Sequence, residues 1–565
     1  MRLAAFVGVV FAAVAASPAQ EFSLTVESGG RPACTVRGLA CGGVNRPGGQ
    51  GFARVEVQEV AGAEHDVRVT LSIVRWSNGD VRLARSFTLQ PNERKVLFLP
   101  MPTRMPSPEL RVDVDGNPRS IRLGLSGSDG ACGLLIADRA DAVPAGLQRL
   151  ATMSNPSESP SQSLVASSAA PTDWRLYTGF DLVQVDGRAA VSGEVQDALR
   201  RAVFAGVTVL VTDPGALPAG PLQGRVQLGE AAYGLGRFIG VTGNASEALP
   251  ARLFPIEPGL QLEAPIPGLG DAPVRVFLMV IVAFAIVAGP VNFLWLRRRR
   301  QPLLALVTVP VLGFGTTAAI IAFGVLHDGF GVRGVVHSWT WLDQGSHEAA
   351  TWSTRTLFPG RAPAAFPVDA DTLVVAPRAT ARPDGAGDRF HFDLDSTRLD
   401  GGVLPSRTAT PLLTVQQGVV RQRLVVQRTG DGMQVLADGG VQPNGGIVLR
   451  DLAGGYWIGQ GGHLTRADSG AVRAALEQIG VAVETVVRVE TEERRWSRRG
   501  RQEETREVPT SIGTLGDRMV PRILAPGDYL ALVQRPAWLA DHGLQPAYDL
   551  ELHVVRGRLA AEDVR

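Results

Sequence analysis

Two stretches of this chain carry no charged side chain for long enough to cross a bilayer, and they constrain everything around them. Val276 to Leu296 and Leu303 to Leu326 each reach the roughly 20 apolar residues that a membrane-spanning helix requires. Between them stands Arg297-Arg298-Arg299-Arg300, whereas Asp271, Arg275, Asp328 and Arg333 lie on the outer flanks. The expectation is a transmembrane hairpin over residues 274–326. By the positive-inside rule its four arginines are cytoplasmic. Two helices buried in a soluble core are the alternative, but that reading leaves an arginine quartet in a short turn unexplained.

The N-terminus supports the same orientation. Arg2, an apolar run from Leu3 to Ala16 and then Ser17-Pro18-Ala19 follow the order of a secretory signal, with residues 1–19 removed after Ala19. An uncleaved anchor helix is the competing reading, although the run is short for a span. Both large polar regions are then extracytoplasmic, and a bacterial inner (cytoplasmic) membrane with periplasmic domains is the implied location. The bilayer is the first partner and an envelope protein the second. Basic and acidic residues number 56 and 55. That balance provides no field for nucleic acid, so no nucleic-acid partner is expected. Lys95 is the single lysine, which removes Schiff-base and phosphate-loop lysine chemistry from almost the whole chain.

Inside the first span, Gly289-Pro290-Val291-Asn292 places a proline where it removes a backbone hydrogen bond and kinks the helix. Asn292 is available as a donor to the freed carbonyl or as a contact to another helix, and a tolerated kink is the plain alternative. Pro310, Gly313 and Gly315 in the second span suit bending and close helix approach.

In residues 20–128 apolar and polar residues largely alternate over Phe52 to Val60, Val67 to Val74 and Val81 to Leu89, the period of half-buried strands. Ser77-Asn78-Gly79-Asp80 is a hairpin turn, because Asn-Gly accepts positive φ angles. The pattern fits an immunoglobulin-like β-sandwich. In an oxidising compartment Cys34 and Cys41 are candidates for a disulfide, which would contribute roughly 2.5 kcal/mol in the chain-entropy account. Cys132 lies in an apolar run and reads as a buried small hydrophobe.

Residues 129–270 follow a different grammar. Cys132 to Ala137, Asp181 to Val185 and Val207 to Thr212 are apolar strands, and Gly193 to Ala205 is a helix with Val195, Leu199, Ala202 and Val203 on one face. Continuous apolar strands alternating with helices indicate a parallel sheet covered on both sides, hence a flavodoxin-like α/β domain. A Ser-, Pro- and Ala-rich linker occupies residues 154–173. Asp138, Asp181 and Asp213 sit near strand ends, where α/β folds hold ligands, though aspartates there also cap helices and turns.

These residues carry a resemblance. Trp174-x-x-Tyr177-x-x-x-Asp181, Gln196-x-x-Leu199-Arg200, Ala205-Gly206 and Tyr233-Gly234-Leu235-Gly236-Arg237 are similar to the class I glutamine amidotransferase-like domain. They resemble in particular its degenerate form in a family of poorly characterised bacterial envelope proteins, where a membrane helix with a Gly-Pro-x-Asn element follows the domain. Gly289, Pro290 and Asn292 hold the matching places. The resemblance implies a fold without the chemistry. An active domain needs a cysteine after a strand and a downstream histidine and carboxylate, but Asp213-Pro214-Gly215 follows Val211-Thr212 and no histidine lies between His65 and His327. The Cys-His-Glu triad is absent, so no enzyme and no cofactor are expected. A von Willebrand-type metal turn is likewise missing at Asp138-Arg139-Ala140-Asp141.

Residues 330–565 read as a β-rich extracytoplasmic region of one or two sandwiches, with one clear helix over Ala471 to Ile479. Val335, His337, Trp339 and Trp341 share one face of a strand. Trp339, Trp341 and Trp352 are a stacking platform for sugars or, alternatively, half-buried sheet and lipid-interface residues. His337 and His347 lack metal-ligand spacing. The interleaved charges from Glu490 to Glu507 form a self-neutralising arm or a docking site. The chain is therefore expected to be multidomain α/β plus β. Its expected function is that of a non-catalytic, membrane-anchored scaffold or subunit of an envelope complex. The alternative is an extracytoplasmic sensor holding a small ligand near the three aspartates.

Overall fold

The computed structural model describes residues 20–28, 31–41, 50–75, 79–102, 108–123, 132–138, 161–242, 266, 274–299, 302–369, 371–375, 388–394, 397–399, 401–430, 432–436, 439–487 and 524–565. The expected signal segment 1–19, Arg300, residues 154–160 of the expected linker and the charged stretch Glu490 to Glu507 lie outside them.

Eight strands come first: β1 (Gln20–Ser28), β2 (Arg31–Cys41), β3 (Gln50–Glu59), β4 (His65–Arg75), β5 (Gly79–Leu89), β6 (Arg94–Pro102), β7 (Glu109–Val114) and β8 (Asn117–Arg122). β1-β2-β3-β6 form one sheet, and β5-β4-β7-β8 are consecutive in another. Alternation explains the packing: Val55, Val57, Leu97 and Leu99 face Val67, Val69, Leu71 and Leu83 in one core. β4 and β5 pair antiparallel from Arg75 opposite Gly79 to His65 opposite Leu89, and Ser77 and Asn78 of the expected turn lie outside the described residues. The proposed Cys34–Cys41 bridge is corrected here. Cys34 is a buried free thiol, and both cysteines lie on the continuous strand β2. Seven residues of extended chain span about 23 Å, several times the separation a disulfide tolerates.

The next block has β9 (Cys132–Ile136), β10 (Ser161–Val165), β11 (Leu182–Asp186), α1 (Gly193–Phe204), β12 (Thr208–Thr212), β13 (Gly229–Tyr233) and β14 (Gly236–Val241). Their sheet runs β10-β9-β11-β12-β14-β13, parallel except for the antiparallel edge strand β13. Ser192 caps α1 by accepting the Val195 N–H at 3.3 Å. Val195, Leu199, Ala202 and Val203 bury its apolar face against the sheet.

Two helices long and apolar enough to cross a membrane follow, over Leu278–Arg298 and Ala305–Phe323. The first comprises α2 (Val274–Ile286), one π-helical turn (Val287–Val291) and α3 (Asn292–Arg298); the second is α4 (Ala305–Asp328).

The remaining elements are β15 (Val332–Asp343), β16 (Glu348–Pro359), β17 (Phe366–Pro367), β18 (Thr372–Val375), β19 (Asp388–Asp393), β20 (Arg398–Leu399), β21 (Thr410–Val419), β22 (Val425–Thr429), β23 (Gly432–Leu436), β24 (Pro443–Arg450), β25 (Tyr456–Gln460), β26 (His463–Ala467), α5 (Ser469–Val487), β27 (Asp528–Val533) and β28 (Ala547–Arg558). Eleven of these strands form one continuous sheet, β18-β21-β16-β15-β28-β27-β24-β25-β26-β23-β22, where one or two sandwiches were expected. The other three cross the expected boundary at residue 330. β19 pairs in parallel with β5, Asp388 opposite Gly79 through Asp393 opposite Ala84, and β20 and β17 extend that sheet. The physical reason is the long edge of β5, which would otherwise display unpaired N–H and C=O groups.

Candidate functional site

The three aspartates do not converge. Asp138 follows β9, and its carboxylate accepts the Ser167 N–H at 3.0 Å and the Ala190 N–H at 2.9 Å. Those bonds, Ala190 foremost, hold its carboxyl below the usual range. Asp213 follows β12 in a left-handed conformation (φ 51°) and pairs with Arg188 at 3.0 Å. Asp181 precedes β11, so it lies at the amino end of the sheet, away from the other two. The expectation of a shared site for all three is corrected by this strand polarity. Asp186, the last residue of β11, occupies the carboxyl end and accepts the Arg188 N–H at 3.0 Å. The sequence pattern ends this strand at Val185, one residue short of the observed Asp186, which is why it does not point to this carboxylate. Gly187 shows how closed this end is: a Cβ there would sit 2.4 Å from the Thr212 and Asp213 carbonyl oxygens. Asp138 and Asp186 are engaged by backbone N–H groups and Asp213 by Arg188, and among the described residues no group of three His, Cys, Asp or Glu side chains could hold a metal.

The residues that carry the family resemblance serve packing. Tyr177 Oη donates to Pro171 O at 2.6 Å. Gln196, fully buried, donates to Val191 O and Pro218 O and accepts the Leu222 N–H, all at 3.2 Å. Gly236 approaches the Val203 and Val207 carbonyls so closely that a Cβ would lie 2.3 Å from each. Arg200 donates to Glu348 at 2.6 Å and to Tyr233 Oη at 2.8 Å, joining the α/β sheet to the eleven-stranded one. Arg201 adds an ion pair to Asp371 at 2.7 Å.

Trp339, Trp341 and Trp352 lie in that same junction, buried against the α/β block. Trp352 Nε1 donates to Ala205 O at 3.1 Å, and the Arg556 guanidinium stacks over Trp341 at 4.6 Å. The sugar-platform expectation is therefore corrected: buried in a shared core, these rings have no free face to stack on a sugar.

The opposite face of the same strands holds an arrangement that sequence reasoning missed. Ser338 Oγ lies 2.8 Å from His553 Nδ1, and His553 Nε2 lies 3.0 Å from Glu551 Oε2. Burial lowers the His553 pKa below its ordinary value, leaving the ring neutral. Nε2–H then donates to the carboxylate and Nδ1 accepts from the serine. This is the serine–histidine–acid order of hydrolases. However, Ser338 is 1% exposed on a strand paired on both sides, by β16 and β28. Its neighbouring backbone donors belong to the sheet ladder, which leaves none to stabilise an oxyanion. No local signal could have found the trio, since Ser338 and His553 are far apart in sequence and meet only through β15–β28 pairing.

In the first of the two long apolar helices, the π turn accommodates Pro290, whose missing N–H would interrupt an α-helical ladder. Asn292 Nδ2 donates to Thr308 Oγ1 on α4 at 2.8 Å, linking the two helices. A Cβ added at Gly289, Gly313 or Gly315 would meet nothing within 4 Å, so these glycines are not close-approach points between the helices. Arg297 and Arg298 end α3, and Arg299 stacks over Trp295 at 4.7 Å.

No protein-family profile matches the chain, and no curated protein matches it. Among solved structures it has a likeness to an exo-chitosanase, CsxA, from Amycolatopsis orientalis, at 12% identity and TM-score 0.13 over 36% of this chain and 23% of that one. A second is XAC1771, a carbohydrate acetylesterase from Xanthomonas citri, at 9% identity and TM-score 0.15 over 32% of this chain and 62% of that one. At these scores neither likeness bears on fold or function.

Proposed function

We propose that the protein is a non-catalytic, membrane-anchored scaffold or subunit of a bacterial envelope complex, with both polar regions outside the inner membrane. One observation carries this reading. The region after the hairpin supplies β17, β19 and β20 to a sheet begun before it, which supports placing the two polar regions on one side of the bilayer. The arginines at the end of α3 favour a cytoplasmic assignment for the other side by the positive-inside rule.

The α/β block is read as a flavodoxin-like, degenerate amidotransferase-like domain. Its parallel strands, taken in chain order, lie 2-1-3-4-5, the order of flavodoxin-like folds. Its signature residues hold modules together, as suits a domain retained for shape. Scaffolds of this kind present rigid surfaces to partners, and the shared sheet and the Arg200–Glu348 pair favour rigidity.

The test is purification of the tagged full-length protein from its native membrane in mild detergent, with quantitative mass spectrometry. A stoichiometric envelope partner is expected. A chain that purifies alone at all detergent strengths would count against the subunit reading.

A further inference from the structure

We propose that the end of the eleven-stranded sheet nearest α4 is a lipid-docking surface, where Phe330 enters the outer leaflet and Arg361 binds headgroup phosphate. The inference rests on the membrane-anchored reading and deepens it, because it gives the bilayer a second contact outside the hairpin.

The length of chain between helix and sheet argues for lipid as the occupant. α4 has 24 residues, about 36 Å at 1.5 Å per residue, against a hydrocarbon core of roughly 30 Å. Its C-terminal end then lies among the headgroups. β15 begins at Val332, so Gly329, Phe330 and Gly331 alone join it to Asp328 at the end of α4. Such a connection reaches no more than about 14 Å. It is also held in place. Gly329 takes φ 76°, Gly360 N donates to Gly331 O at 2.8 Å, and a Cβ on Gly360 would collide with Gly329 O. A connection this short, closed over by Gly360, leaves this end of the sheet no room to stand clear of the bilayer.

The same closure sets two exposed side chains side by side. A Cβ on Gly360 would lie 2.8 Å from the Phe330 Cα, which places the next residue, Arg361, beside Phe330. Phe330 is 66% exposed. Arg361 is exposed too and has no ion-pair partner among the described residues, whereas Arg333, at the same end of the sheet, is matched by Asp549 at 2.7 Å. Ala362, Ala364 and Ala365 extend the exposed surface without adding charge. An aromatic ring beside an unmatched guanidinium suits the boundary between acyl chains and phosphate: the ring leaves water, and the planar fork takes two phosphate oxygens.

Photo-crosslinking of the full-length protein in nanodiscs of phosphatidylethanolamine and phosphatidylglycerol tests this, with p-benzoylphenylalanine replacing Trp295, Phe330 or Val419 in turn. All three positions are exposed, so the replacements leave the fold intact. Trp295 lies on α3 and reports the membrane reading itself. Val419 is 79% exposed at the far end of the sheet, where it pairs with Glu348 opposite Asp343, about 36 Å along β15 from Val332. Lipid adducts are expected at 295 and 330, with none above background at 419. Arg361→Glu should lower the adduct at 330 about fivefold, the effect of one basic residue at an anionic membrane surface. Adducts at 295 without any at 330 would overturn the proposal and leave the membrane reading standing, whereas no adduct at either position would overturn both. A protein cross-link at 330 in place of lipid, or a lipid adduct there that Arg361→Glu leaves unchanged, would also overturn the proposal.

Discussion

The two faces of β15 and β16 solve the same burial problem with opposite chemistry. On one face Trp339, Trp341 and Trp352 join an apolar core with the α/β block. On the other, Ser338, Thr340, Thr351, Ser353 and Arg355 are just as deeply buried, under the segment between β27 and β28. There, Thr340 and Thr351 hydroxyls pair at 2.9 Å, Ser353 and Thr414 at 2.7 Å, and Trp538 Nε1 donates to Thr351 at 3.2 Å. Arg355 donates to Ala540 O at 2.5 Å and lies 3.8 Å from Asp541, which Arg535 also bonds. The difference teaches that alternation of polar and apolar residues does not mean one wet face. Short polar side chains on neighbouring strands can satisfy one another, and a buried polar face costs little while every member is paired.

Acid should break both faces at once and produce the largest change. Burial lowers the pKa of His337, on the tryptophan face, to about 4, with the nearby His553 adding to the shift. Burial and Arg355 lower that of His542, in the covering segment, to about 3. Both start from an ordinary 6.5, so below that pH the unfolded chain binds protons the folded one refuses. Full stability is present above pH 6.5 and drains away as pH falls toward 4, by several kcal/mol in total at about 1.4 per pKa unit. Chemical denaturation at stepped pH measures it, and His337→Phe should flatten part of the slope; a flat profile for the native protein would contradict the neutral, buried assignment.

Trp352→Ala comes next, at about 3–5 kcal/mol from lost packing and its bond to Ala205. Arg355→Met should cost less, about 1–3 kcal/mol, since Asp541 keeps Arg535 while Ala540 O loses its donor. Thr340→Val should cost about 1 kcal/mol, because Thr351 keeps Trp538. Denaturant midpoints rank the three; a polar-face variant more damaging than Trp352→Ala would reverse the comparison.

What the sequence made legible was local. The two apolar helices, the period of β4 and β5 and the buried face of α1 are all written in short stretches of neighbouring residues. What it hid depends on residues far apart in the chain. Nothing near Gly79 announces that β19 will pair with β5, and nothing near Ser338 announces His553. The tryptophans were visible as a face but not as a junction, because their partner surface is α1. Asp181 and Cys34 failed for a smaller reason: each required knowing where a strand begins or ends, and a shift of one residue or one strand's continuity changed the outcome.

The claim that polar regions before and after the membrane hairpin form one interlocked body on the outer side is most directly tested by a cross-link. Arg82 and His391 are register partners across the β5–β19 pair. Adjacent strands hold their Cα atoms within disulfide reach. With Arg82→Cys and His391→Cys introduced together, the account predicts that protein taken from growing cells, without added oxidant, yields a disulfide-linked peptide joining the two positions. Both thiols recovered free, in protein that remains folded and membrane-bound, would contradict it.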